Sequence, residues 1–90
     1  MARPITTWRE EIRVAMLPHA ETLDDIVFNT MSEEQMGTQF DSGYGGTEGI
    51  PFTVWTAKRV YFPACYDGSE WVASVSRDPD GFSTDHVGGG

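Results

Sequence analysis

The chain has 90 residues, enough for one small domain with a single hydrophobic core. It carries 14 acidic and 6 basic side chains, and this net charge of −8 argues against binding DNA, RNA or an anionic membrane through a basic patch. The hydrophobic content of 39% and aromatic content of 12% are typical of a folded domain rather than a disordered acidic tail, and the single cysteine excludes an internal disulfide and a cysteine-based zinc site.

The first predicted element is an amphipathic helix. Thr7 and Glu10 have the spacing of a capping box, in which the hydroxyl accepts a free backbone N–H and the carboxylate reaches back. Pro18 disfavours helix at the residue before it, so the helix is expected to cover residues 8–16. Its apolar residues share one helical face: Trp8, Ile12, Ala15 and Met16.

Two further capping signals follow in the N-terminal half. Thr22 with Asp25 predicts a second helix within 22–31, and a serine–glutamine pair after it predicts a short helix near 33–37. Helices this short are not stable alone in water, so we expect them to pack on another element.

The C-terminal half predicts three strands, at 52–56, 59–66 and 70–76, because these segments are rich in β-branched and aromatic residues. The Asp67-Gly68 pair is a strong hairpin signal, so the simplest arrangement is a three-stranded antiparallel meander. Pro63 lies in the central strand, where it removes a ladder hydrogen bond. Either the strand bulges there, or the strand order is not sequential and this strand lies at an edge.

The predicted fold class is α+β, with two or three short N-terminal helices packed on a three-stranded antiparallel sheet. We expect a single domain over 1–87, followed by a frayed glycine tail at 88–90. Alternation in the strands assigns one face of the sheet to the core. The residues expected to be largely buried are Trp8, Ile12, Met16, Ile26, Val27, Val54, Val60, Phe62, Trp71 and Val75.

Charge is segregated along the chain. From 14 to 57 there are seven acidic residues and no Lys or Arg. This segment is either a solvated surface that keeps the protein soluble, or a face that docks on a basic partner or mimics nucleic-acid phosphates. Under the second interpretation, Tyr44 on the glycine-rich loop supplies an aromatic anchor. The predicted partner-binding residues are therefore Glu21, Asp24, Asp25, Glu33, Glu34, Asp41, Tyr44 and Glu48.

Other motifs lack residues that their chemistry needs. The loop Gly43–Gly49 is not followed by Gly-Lys-Ser/Thr, which argues against a phosphate site. The stretch 78–81 resembles the middle of a calcium loop, but its flanking ligand set is incomplete. Cys65 and His86 could serve as nucleophile and base, although a lone thiol within a strand is more often a small buried hydrophobe. We predict no catalytic residue, metal or cofactor.

Five segments of the chain carry a resemblance to known proteins: Trp8-Arg9-Glu10-Glu11, Gly43-Tyr44-Gly45-Gly46, Pro51-Phe52-Thr53-Val54-Trp55-Thr56, Val60-Tyr61-Phe62-Pro63 and Tyr66-Asp67-Gly68-Ser69-Glu70-Trp71-Val72. With these segments it resembles small acidic proteins encoded in phage and prophage regions. It is similar in size and charge to the anti-CRISPR and anti-restriction proteins of such regions. The resemblance implies stoichiometric inhibition of a defence complex, and it carries over no target and no functional residue.

The function expected is a non-enzymatic, phage-type inhibitor that binds a basic host protein or ribonucleoprotein defence complex through an acidic face. The alternative is a small-ligand or peptide binding module that uses the sheet and the Gly43–Gly49 loop. We expect no direct nucleic-acid binding and no membrane attachment, while the oligomeric state stays open. The N-terminal residues lack the apolar stretch of a signal peptide, so the expected location is the host bacterial cytoplasm.

Overall fold

The computed structural model describes residues 5–41, 49–66 and 69–88. Two short 3-10 turns, Leu17–His19 and Leu23–Asp25, separate the first helix from the second strand. The strands and helices are β1 (Ile5–Thr7), α1 (Trp8–Met16), β2 (Ile26–Asn29), α2 (Glu33–Met36), β3 (Gln39–Asp41), β4 (Val54–Thr56), β5 (Arg59–Tyr66) and β6 (Ser69–Ser76). The α+β class predicted from the sequence is confirmed.

The described strands form two antiparallel sheets instead of the single three-stranded sheet that was predicted. The larger sheet has the order β2-β4-β5-β6, and the smaller one pairs β1 with β3. The predicted meander is present as β4, β5 and β6, and β2 extends it at one edge. The predicted hairpin residues Asp67 and Gly68 lie outside the described residues.

The helix α1 begins and ends where the sequence predicts. The Thr7 side chain accepts a hydrogen bond from the backbone N–H of Glu10 at 3.1 Å, as an N-cap does. The carboxylate of Glu10 instead pairs with Arg13, so the reciprocal half of the predicted capping box is not made. After α1, Pro18 lies within a 3-10 turn, and Ala20 then adopts a left-handed conformation with φ of 56°.

The predicted second helix over 22–31 is wrong. Thr22 and Asp25 do form a capping pair, because the Thr22 N–H donates to the Asp25 carboxylate at 2.8 Å, but only one 3-10 turn follows. The chain then enters β2, where Ile26 pairs with Thr56 of β4. The β-branched and aromatic residues of this segment favour a strand once a partner strand is available. The later capping box and the short helix α2 are confirmed.

The core lies between α1 and the larger sheet. Trp8 is at its centre, with its ring centroid 4.6 Å from that of Phe40 and 4.8 Å from that of Phe52. Its indole N–H donates to the carbonyl oxygen of Ile50 at 3.0 Å, which satisfies the one polar atom of a buried side chain. The buried hydrophobic cluster consists of Trp8, Ile12, Met16, Met31, Met36, Phe40, Phe52, Val54 and Tyr61.

On β5 and β6, the face of the sheet assigned to the core is the wrong one. Opposed residues of antiparallel strands share a face, and Tyr61, which pairs with Val54 and Ser74, is fully buried. The other face, here called the outer face, therefore carries the residues that were expected inside. On β5 and β6, Ala64 is buried on this face and the others are half-buried or exposed: Val60, Phe62, Tyr66, Trp71, Ala73 and Val75. Of the remaining predicted core residues, four are buried as predicted, whereas Ile26 is half-buried and Val27 is exposed. The four are Trp8, Ile12, Met16 and Val54.

Pro63 is accommodated without a bulge in the pairing of β5 with β6, where it opposes Val72 in an unbroken register. The paired residues of β4 reach only Val60 and Tyr61, so Pro63 lies beyond the end of β4 and has one neighbouring strand among the described residues. This half of β5 is an edge, where proline is tolerated. The strand order is nevertheless sequential from β4 to β6.

The chain after β6 returns to the sheet. Gly88 is half-buried with a φ of +80°, and a Cβ there would lie 2.7 Å from the carbonyl oxygen of Cys65. The positive φ and the lack of room for a Cβ both require glycine at this position. Gly88 was expected to belong to the frayed tail and is instead packed, whereas Gly89 and Gly90 lie outside the described residues.

Candidate functional site

Four of the predicted partner-binding acids are exposed. Asp24 and Asp25 lie on the 3-10 turn before β2, while Glu33 and Glu34 form the first turn of α2. Both of these elements contact α1. The exposed carboxylates therefore lie at the two ends of β2, on elements that flank the helix.

Two of the predicted acids are not on this surface. Glu21 and Asp41 are only 6% and 3% exposed, so neither presents a solvated charge to a partner. The side chain of Glu21 accepts a hydrogen bond from the Tyr61 hydroxyl at 2.6 Å. The last two residues of the predicted set, Tyr44 and Glu48, lie outside the described residues.

The segregation of charge along the chain is only partly kept in space. Arg9 of α1 reaches Glu33 of α2 with an N–O distance of 2.8 Å. Arg13, one turn further along α1, pairs with Glu10 of the same helix at 2.6 Å. Folding thus brings one arginine from outside the acidic segment, Arg9, beside one of its carboxylates. The surface around α1 is a mixed one in which Arg9 offsets the charge of Glu33.

Asp24 and Glu34 are the most available of the four exposed acids in the predicted set. Among the described residues their side chains take part in no recorded ion pair or side-chain hydrogen bond, whereas the Asp25 carboxylate caps the N–H of Thr22. The segment after β6 adds exposed acids that the sequence analysis did not include, among them Asp78 and Asp85. They lie outside the Lys/Arg-free segment, and the partner-binding residues were predicted only from that segment.

A buried polar pair joins the turn after α1 to the sheet. Burial, together with the hydrogen bond to Glu21, holds the pKa of Tyr61 well above its usual range. The ring of His19 packs edge-on against Tyr61, with centroids 6.5 Å apart. Partial removal of this ring from water and the positive charge of Arg59 lower the pKa of His19. The hydrogen bond from Tyr61 to Glu21 fixes the turn after α1 to β5.

The residues considered for catalysis or metal binding lie in different settings. Cys65 is half-buried in β5, and His86 is exposed after β6. Within ranges 5–41, 49–66 and 69–88, no group of three or more His, Cys, Asp and Glu side chains is arranged to hold a metal ion. In the stretch that resembles a calcium loop, Asp80 instead accepts a hydrogen bond from the N–H of Phe82 at 3.0 Å.

The outer face forms a second candidate site. Phe28 of β2 is 62% exposed and packs against Trp55 of β4, with ring centroids 5.6 Å apart. Trp71 of β6 is 37% exposed. Large aromatic side chains left at the surface often mark binding sites. Trp71 was expected in the core, so its exposure on this face was not predicted.

Comparisons with protein-family models, with curated proteins and with solved structures find no match for this chain. No helix in the described part of the chain has the length and apolar character needed to cross a membrane.

Proposed function

We propose that the protein is a non-enzymatic inhibitor that binds a basic surface of a bacterial defence complex, in the manner of anti-CRISPR or anti-restriction proteins. The partner is a basic host protein or a ribonucleoprotein in the bacterial cytoplasm. The observation that carries the proposal is the exposure of Asp24 and Glu34, two carboxylates without recorded partners, on elements at the two ends of β2.

The net charge of −8 gives these carboxylates a long-range role. A negative protein is attracted towards a basic surface before contact, which raises the association rate, and correctly placed rim charges then orient the encounter. Arg9 and Arg13 do not oppose this attraction strongly, since each is already paired with a glutamate. The same charge disfavours direct binding to nucleic acid.

A second function has a specific observation in its favour. The exposed Phe28, packed against Trp55 on the outer face, suits a binding module for a peptide or small apolar ligand. Such a module gains affinity mainly from apolar burial, so its binding changes little with salt. An acidic surface that binds a basic partner loses affinity as salt rises.

The direct test of the proposed function is an infection assay. The protein is produced in bacterial strains that each carry one CRISPR or restriction system, and each strain is challenged with a phage that the system restricts. We expect plaques to return to near the undefended level in at least one strain. Normal defence throughout a panel that covers the main CRISPR and restriction types would contradict the proposal.

A control variant separates binding from catalysis. Cys65→Ser and His86→Ala, made separately, are expected to protect the phage as well as the wild type does, because stoichiometric inhibition needs neither side chain. Protection should also scale with the molar ratio of the protein to the defence complex. Loss of protection in either folded variant, with binding retained, would favour an enzyme.

A further inference from the structure

An open cleft of about 320 Å³ lies where the end of α1 meets the 3-10 turn before β2. Its walls are mostly apolar and include Leu17 and Leu23, of which Leu17 is 60% exposed. The carboxylate residues Glu21 and Asp24 also line it. The cleft thus combines apolar surface with negative charge, which is the complement of a side chain that has an apolar stem and a cationic head.

Glu21 has one carboxylate oxygen left for a ligand. The residue presents no solvated charge at the surface, since it is nearly fully buried, yet it lines this cleft. Its Oε1 atom accepts the hydrogen bond from the Tyr61 hydroxyl. In the part of the chain that the structure describes, Oε2 has no recorded hydrogen bond, and it is not among the buried side-chain atoms that lack both a partner and contact with water. An ionised acceptor of this kind forms its strongest hydrogen bonds with a cationic donor.

The backbone on both sides holds Glu21 in place. Ala20 adopts the left-handed conformation, and its N–H donates to the Leu17 carbonyl at 3.2 Å. The Glu21 N–H donates to the Met16 carbonyl at 3.1 Å. Together these bonds form the Schellman motif that ends a helix. On the other side, the capping pair described above fixes the N–H of Thr22. The carboxylate is therefore positioned before a ligand arrives, which lowers the entropic cost of binding.

We propose that this cleft is the subsite that receives an arginine side chain of the basic partner. The inference rests on the proposed function for the nature of the partner, and it adds the residue type that the protein recognises. The aliphatic stem of the arginine packs on Leu17 and Leu23. Its guanidinium donates to the open oxygen of Glu21 and to the exposed Asp24. The net charge of −8 draws a basic partner towards this surface.

The chemistry of the cleft favours arginine over lysine and over an anion. A guanidinium carries several donors in a planar fork, so one head group can reach two carboxylates, and it is more weakly hydrated than an ammonium group. Entering a cleft with apolar walls therefore costs arginine less than lysine. Arg13 also lines the cleft, but its guanidinium already donates to both carboxylate oxygens of Glu10, at 2.9 and 2.6 Å. An anion would find this cation paired and would face two like charges, those of Glu21 and Asp24.

The subsite is tested on the isolated protein with small probes. The arginine probe is N-acetyl-arginine N-methylamide, which has no terminal charges. The matched probes carry lysine or citrulline, the neutral isostere of arginine. Backbone amide chemical shifts of residues 19–24 are followed by NMR as each probe is added at about 0.05 M salt, where screening is weak. A single side chain predicts a dissociation constant on the order of 1 mM for the arginine probe, a value at least roughly fivefold higher for lysine, and no saturable shift for citrulline.

Conservative variants assign the binding to the two carboxylates. Glu21→Gln removes the charge but keeps a side-chain oxygen that can accept the hydrogen bond from Tyr61. It should weaken binding of the arginine probe at least roughly fivefold, and so should Asp24→Asn. Asp85→Asn is the matched control, because it changes the net charge equally at an exposed position outside the cleft. Its affinity for the probe should stay within about twofold of the wild-type value, since a distant charge contributes little.

Several outcomes would overturn the proposal. These are the absence of a saturable shift at residues 19–24 with the arginine probe, equal binding of lysine or citrulline, and equal effects of Glu21→Gln and Asp85→Asn. If the Glu21 variant fails to fold, the comparison of arginine with citrulline on the wild-type protein decides. Any of these results together with restored plaques in the infection assay would refute the arginine subsite and leave the proposed function standing. Arginine-selective binding in the cleft with normal defence throughout the panel would support the subsite and refute a defence complex as the partner.

Discussion

Replacing Tyr61 by Phe tests the buried polar pair of the structure. Tyr61 is fully buried, and its hydroxyl is the recorded donor to Glu21, whose side chain is itself only 6% exposed. The substitution keeps the ring and removes the donor, so Glu21 is left buried with an acceptor unsatisfied. That costs about 1–3 kcal/mol, a large part of the roughly 5–15 kcal/mol by which a small domain is stable.

Urea unfolding at pH 7, followed by tryptophan fluorescence, measures this loss. Tyr66→Phe is the matched control, because it removes the same hydroxyl from an exposed tyrosine of the same strand and should change the free energy of unfolding by less than about 0.5 kcal/mol. In the Tyr61→Phe background, Glu21→Leu should recover part of the loss, since it removes the unsatisfied acceptor. A Tyr61→Phe variant as stable as Tyr66→Phe would refute the reasoning.

Two further predictions concern stability. In the folded state Tyr61 stays protonated above the pH of about 10 at which tyrosine in an unfolded chain ionises. The contribution of Tyr61 to the free energy of unfolding is therefore complete below that pH and is lost as the pH rises further. The urea midpoint of the wild type should therefore fall more steeply above pH 10 than that of Tyr61→Phe, and parallel curves would contradict this. Ile12→Ala, in the buried face of α1, should lower the free energy of unfolding by about 2–5 kcal/mol, whereas Val14→Ala on the exposed face of that helix should change it by less than about 0.5 kcal/mol. Equal losses in a urea titration of both variants would contradict the packing of α1.

The sequence correctly predicted the elements that depend on residues close together in the chain. The Thr7 cap and the spacing of Ile12 and Met16 placed α1 correctly, because a cap and a helical face depend only on residues a few positions apart. The strands β5 and β6 were predicted for the same reason, since a tight hairpin and alternation act over neighbouring residues.

The failures share a dependence on distant partners. The Thr22–Asp25 cap is real, but whether a helix continues beyond it depends on β4, which offers Ile26 a strand to pair with. The β1–β3 sheet was not predicted because its strands have three residues each and lie far apart in the sequence. Tertiary pairing overrides local propensity in both places.

The candidate site was predicted only in part, again for a spatial reason. Alternation divides β5 and β6 into two faces without indicating which one the helix covers. Tyr61 marks the covered face, but its polar hydroxyl makes it a less obvious core residue than the apolar side chains of the other face. A run of acids along the chain likewise does not reveal that Glu21 turns inward or that Arg9 returns to Glu33.

The most direct measurement of the central claim is the association rate with the defence complex that the protein inhibits in the infection assay. Two double variants are compared: Asp24→Lys/Glu34→Lys and Asp78→Lys/Asp85→Lys. Each changes the net charge from −8 to −4, since each replacement adds two charge units. None of the four wild-type side chains takes part in a recorded hydrogen bond or ion pair. At about 0.05 M salt, Asp24→Lys/Glu34→Lys should associate roughly tenfold more slowly than the wild type. The association rate of Asp78→Lys/Asp85→Lys should stay within about twofold of the wild-type rate. The difference between the two variants should shrink at about 0.5 M salt, where screening is strong. Equal rates for the two variants in low salt would contradict an acidic docking surface at Asp24 and Glu34.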